Sequence, residues 1–114
     1  MTNGREKGAA AEREVARILR EYGYPARRGQ QYCGGNGDAD VEGLDGIHIE
    51  VKRREQFRLY PAMEQAKHDA RDGEIPAVFH RRNGKSWVVI LELDDFMRMY
   101  RDFEPDASSG DLEG

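Results

Sequence analysis

Cysteine is nearly absent from this chain. One residue, Cys33, occurs in 114, so no internal disulfide can form. With no second thiol and no histidine near it, Cys33 is not the seed of a zinc site, which draws on four ligands in tight local pairs. Long apolar runs are missing too. Ile75–Phe79 and Trp87–Leu91 are the longest, far short of the roughly 20 residues that span a bilayer. The first seven residues lead into no apolar signal region, so a cytoplasmic protein without membrane attachment is expected. An excess of basic charge is also missing, and the formal net charge is −4.

That charge is unevenly spread. Residues 104–114 hold four of the 22 acidic residues and none of the 18 basic ones, so the rest of the chain is neutral. The bases cluster as Arg27-Arg28, as Lys52-Arg53-Arg54 with Arg58, and as Arg81-Arg82 with Lys85. Local patches, not net charge, set affinity for phosphates. The length suits one domain, expected over residues 1–103, followed by an acidic, disordered tail over 104–114.

Periodicity orders the elements. Ala11, Val15, Ile18, Leu19 and Tyr22 recur at helical spacing over roughly residues 7 to 22, with Gly23 and Pro25 as stop signals. A short strand is expected around 24–31, then a turn through Cys33-Gly34-Gly35-Asn36-Gly37. Two strands follow, 38–44 and 47–53, joined at Gly43-Leu44-Asp45-Gly46. In the second, Ile47, Ile49 and Val51 face one way and His48, Glu50 and Lys52 the other. A helix over 61–72 carries Met63, Ala66 and Ala70. Strands 77–81 and 86–91 flank Asn83-Gly84, a hairpin signal. A last helix over 93–103 presents Phe96, Met97, Met99 and Tyr100. Alternation of this kind predicts an α/β or α+β domain in the order α-β-β-β-α-β-β-α.

The chemistry concentrates in Asp40, Glu50 and Lys52. Glu50 and Lys52 share one face of a strand that should lie mid-sheet, where charges are costly unless paired or metal-bound. Antiparallel pairing across the Gly43–Gly46 turn brings Asp40 close to Glu50 or to an adjacent rung. Two facing carboxylates repel unless a cation sits between them, and hard oxygen donors favour Mg²⁺ or Mn²⁺. Asp40, Glu50 and the carbonyl of Val51 are the expected metal ligands. Lys52 is placed to orient the attacking water or to meet developing charge. Glu12, at the edge of the first helix's apolar stripe, is a third acid within reach, while Glu14 and Glu21 are expected to point away. Arg27, Arg28, Arg53 and Arg54 are candidate DNA contacts. Asp38 is a weaker acid candidate. His48 reads as a packed strand histidine, Lys67 as a surface lysine, and Trp87 as hairpin packing.

The pattern Lys7-Gly8…Glu12-Arg13-Glu14, then Ala39-Asp40-Val41, then Ile49-Glu50-Val51-Lys52 resembles the PD-(D/E)XK nuclease superfamily. Within it, the pattern is most similar to small archaeal-type Holliday-junction resolvases and related phage nucleases. Ala39 stands where a proline is usual, and the connection from Asp40 to Glu50 is short. The resemblance spans roughly residues 5 to 93. It implies a mixed central sheet flanked by helices, restriction-endonuclease-like, that hydrolyses DNA with a divalent metal and often works as a homodimer. It also implies that Gln65, near the start of the second helix, touches the catalytic centre. The expectation is a metal-dependent endonuclease of a bacterial or phage-infected cell, acting on branched DNA. A nuclease-like DNA- or protein-binding module without cleavage is the alternative.

Overall fold

The computed structural model describes residues 4–29 and 39–105. The expected turn around Cys33, the acid candidate Asp38 and most of the acidic tail lie outside the described residues. Eight elements follow in the expected order: α1 (Gly4–Glu21), β1 (Arg27–Arg28), β2 (Val41–Glu42), β3 (Ile47–Arg53), α2 (Leu59–Asp69), β4 (Ile75–Arg81), β5 (Val88–Ile90) and α3 (Leu93–Phe103). The strands form one five-stranded sheet in sequence order. All neighbours are antiparallel except β3 and β4, which run parallel with α2 as their crossover, so the sheet is mixed.

The two sheet faces are covered differently. Ala11, Val15 and Ala16 of α1 are buried against Val41, Ile49, Val51, Ala77 and Phe79. Ala62, Met63 and Ala66 of α2 are buried with Val78 on the other face. Strand alternation therefore sends Ile49 and Val51 toward α1, and His48 and Glu50 toward α2. Helix α1 ends as its sequence indicates. Gly23 has φ 101° and Tyr24 N–H returns to Leu19 O, a left-handed stop that a glycine takes without strain.

Two expectations change. Strands β1 and β2 are two residues each, shorter than their sequence patterns suggested. Past the Val41–Ile49 pair, Asp40 N–H still bonds Ile49 O, but Val51 N–H goes to the Asp40 carboxylate, and the ladder stops. Helix α2 starts at Leu59 and takes Pro61 into its first turn, where a missing N–H costs nothing. Helix α3 has the expected bounds, and none of its residues is buried; Leu93, Phe96 and Phe103 are all exposed. Lys67, expected at the surface, is exposed and bonds Glu92 at 2.9 Å, tying α2 to the start of α3. Among the described residues, no helix is long and apolar enough to cross a membrane.

Candidate active site

The site is built around the place where β2 leaves β3. The Val41–Ile49 pair sets Asp40 opposite Glu50. Backbone bonds fix Asp40 from both sides. Its N–H donates to Ile49 O at 2.9 Å, and its carbonyl accepts from Gly29 N–H at 2.8 Å. Its carboxylate Oδ2 accepts from Val51 N–H at 2.8 Å. Gly29 is required for this approach, since a Cβ there would lie 1.9 Å from Ala39 O.

Asp40, Glu50 and Glu12 line one cavity of about 340 Å³ together with Val51, Lys52 and Gln65. Lys7, Arg53 and Arg54 give the same cavity a basic rim. Glu50 and Glu12 are buried. The Asp40 carboxyl is pushed up to about 7. Burial is the main cause, the charge of Glu50 adds to it, and Glu12 contributes further. The Val51 N–H and Lys52 oppose the rise without cancelling it.

The basic residues divide into two groups. Lys52 Nζ donates to Gln65 Oε1 at 3.3 Å, so α2 delivers Gln65 to the lysine. Arg54 and Arg58 also line an adjoining cavity of about 200 Å³ that shares Lys52 and Gln65. Phe57 stacks on His80 with ring centroids 3.9 Å apart, and His80 Nε2 lies 3.0 Å from Arg54 O, which anchors this loop. Arg27 and Arg28 lie apart from the cavity lining. Arg27 pairs with Glu42, both exposed, at 3.0 Å. Arg28 Nε holds Glu12 Oε1 at 3.0 Å, which fixes the third acid rather than leaving the arginine wholly to solvent.

Two side chains do more than the sequence suggested. Glu14 does not point away: its Oε2 accepts from Arg81 at 2.5 Å and from Trp87 Nε1 at 3.0 Å, joining α1 to the β4–β5 hairpin. Nothing local in the sequence marks that partnership, which spans more than sixty residues. His48 is 1% exposed, and its Nε2 lies 2.9 Å from Glu50 Oε2. Alternation along β3 did signal a shared face. Burial disfavours the imidazolium, yet the hydrogen bond and charge of Glu50, aided by Glu74 and Asp69, raise the His48 pKa above its ordinary value.

Two donor sets could be weighed for a cation. His48, Glu50 and Asp69 are, among the described residues, the set whose ligand atoms all lie within 4.8 Å of one another. There the imidazole Nε2 is already hydrogen-bonded to Glu50, so that nitrogen is engaged as a donor rather than open as a ligand. Asp40, Glu50 and the Val51 carbonyl form an all-oxygen set suited to Mg²⁺ or Mn²⁺. The Asp40 carboxyl is raised first by burial and then by the charges of Glu50 and Glu12, and a divalent cation would oppose that rise. These residues fit the ion.

No protein-family model and no curated protein matches the sequence. Among solved structures, the chain is similar to a Holliday junction resolvase, Hjc, of the archaeal hyperthermophile Archaeoglobus fulgidus. The two are 26% identical with a TM-score of 0.57, over 75% of this chain and 72% of that one. In fold, the chain is similar to this archaeal Holliday junction resolvase, and with it to the PD-(D/E)XK nuclease superfamily.

Proposed function

We propose that this protein is a divalent-metal-dependent endonuclease that hydrolyses DNA phosphodiesters, with branched DNA such as four-way junctions as its substrate class. The observation that carries the reading is the single cavity shared by Glu12, Asp40, Glu50 and Lys52. Asp40, Glu50 and the Val51 carbonyl would hold Mg²⁺ or Mn²⁺, which when bound acidifies water and neutralises charge on the phosphate. Lys52 acts as a point charge at the attacked phosphate, and Gln65 steadies its ammonium. Glu12, held by Arg28, adds a carboxylate that can accept a hydrogen bond from the attacking water. Arg53 and Arg54 receive the flanking phosphates. Residues 1–103 form the nuclease unit. The protein works in the cytoplasm of a bacterial or phage-infected cell, and a second copy widens its reach over a branched substrate.

The test is cleavage of linear, flapped and four-way DNA with Mn²⁺, with EDTA as control. Glu50→Ala and Asp40→Asn should keep the fold, by circular dichroism, and lose cleavage by a factor on the order of 10³ or more. Full activity in either variant rejects the assignment. DNA binding by the wild type with no product under any divalent metal would favour the non-cleaving module.

A further inference from the structure

His48 has no task in the scheme above, yet it is among the most deeply buried side chains of the molecule. A carboxylate only accepts hydrogen bonds, so a 2.9 Å contact between His48 Nε2 and Glu50 Oε2 places the hydrogen on Nε2. The other ring nitrogen, Nδ1, lies 3.8 Å from Glu74. Glu74 stands at a separate cavity of about 260 Å³, lined also by Glu42, Asp45 and Arg71. The imidazole thus spans the interior from that cavity to the carboxylate of the candidate site. Packing alone does not ask for a histidine here. The register partner of His48 on β4 is Pro76, equally buried and wholly apolar.

We infer that His48 is a positioning residue for Glu50, bonding one carboxylate oxygen and braced from behind by Glu74, so that the second oxygen is presented to a divalent cation in one orientation. The inference rests on the metal-dependent reading of the site. A glutamate side chain samples several rotamers, and a buried donor at 2.9 Å selects among them before the ion arrives. Partners of metal-binding side chains commonly change metal affinity or activity by about 10- to 100-fold. The pair also explains how a histidine and a glutamate can both be buried in the middle of a sheet, since each supplies the other's hydrogen-bond partner.

Mn²⁺ binding to the full chain, by calorimetry, and the Mn²⁺ dependence of DNA cleavage test this with two variants. His48→Met keeps the bulk and removes the donor. His48→Gln restores an N–H at similar reach. The expected result is a Mn²⁺ half-saturation raised about 10- to 100-fold in His48→Met, with the cleavage rate largely recovered at saturating Mn²⁺ and His48→Gln close to wild type. A merely structural role would lower the folded fraction and leave half-saturation unchanged in the protein that remains folded, and that outcome overturns the inference. Should His48→Met fail to fold, Glu74→Ala, at a part-exposed position, takes its place. It should raise half-saturation in the same direction by a smaller factor, and no change overturns the inference. A wild type that binds no Mn²⁺ and cuts no DNA overturns the nuclease reading and this inference together. A wild type that does both, beside an unaltered His48→Met, overturns this inference alone.

Discussion

Strands β3 and β4 lie side by side, each seven residues long, and bury the same four positions. In β4 those positions hold Pro76, Ala77, Val78 and Phe79; in β3 they hold His48, Ile49, Glu50 and Val51. Glu50 is the direct register partner of Val78. One strand does what a central strand ordinarily does, and its neighbour carries two ionisable groups through the same interior. Burial of this kind is unfavourable unless each group is paired. The contrast therefore locates where the fold has been bent toward chemistry, without reference to any relative.

The sharpest way to break the contrast is to copy it onto β4. Val78→Glu would bury a carboxylate directly beside Glu50, with the histidine on its strand face, His80, already engaged by Arg54 O, and urea unfolding should show a loss of about 3–5 kcal/mol. A preserved midpoint would mean that the interior near β4 tolerates charge, and that the β3 pair has no special standing. A somewhat smaller effect comes from pH. The unfolded chain gives up the Asp40 proton near 3.8, whereas the folded protein keeps it until about 7. With EDTA present, Asp40 thus favours the folded state below pH 4 and loses that contribution as pH rises to 7. The loss should reach roughly 2–4 kcal/mol, and Asp40→Asn should flatten that part of the profile. Identical slopes for wild type and variant would show that Asp40 titrates normally. The smallest change is expected from making β3 resemble β4. The double variant His48→Leu, Glu50→Val removes both partners at once and should match wild-type stability or exceed it by about 1–2 kcal/mol, with cleavage lost. A large destabilisation would mean that the pair serves folding.

Much of β3 was legible because its signal is local. A period of two over Ile47–Lys52 fixes both the strand and the face of each side chain, and the Gly43–Gly46 turn fixes the register that sets Asp40 against Glu50. Helix α3 and the β4–β5 hairpin were legible for the same reason, through a helical period and an Asn-Gly turn. Partnerships across the chain were not. Nothing near Arg28 announces Glu12, and nothing near Glu14 announces Arg81 and Trp87, because side-chain geometry between distant segments exists only after the sheet and helices dock. The exposure of the apolar face of α3 was not legible either. A helical period shows which residues share a face, but not whether anything in the chain covers it. The site residues fall between these cases. Asp40, Glu50 and Lys52 share a cavity as their strand positions imply, while the contact of Gln65 with Lys52 depends on how α2 docks on the sheet.

Gly29 contributes no side chain to any of this, yet the carbonyl of Ala39 passes through the space where its Cβ would be. Any larger residue at 29 must push the Asp40 segment outward and lengthen the bond from Gly29 N–H to Asp40 O. The candidate site is therefore guarded by a position with no reactive atoms, and a search for damaging changes that looks only among acids and bases would pass it by.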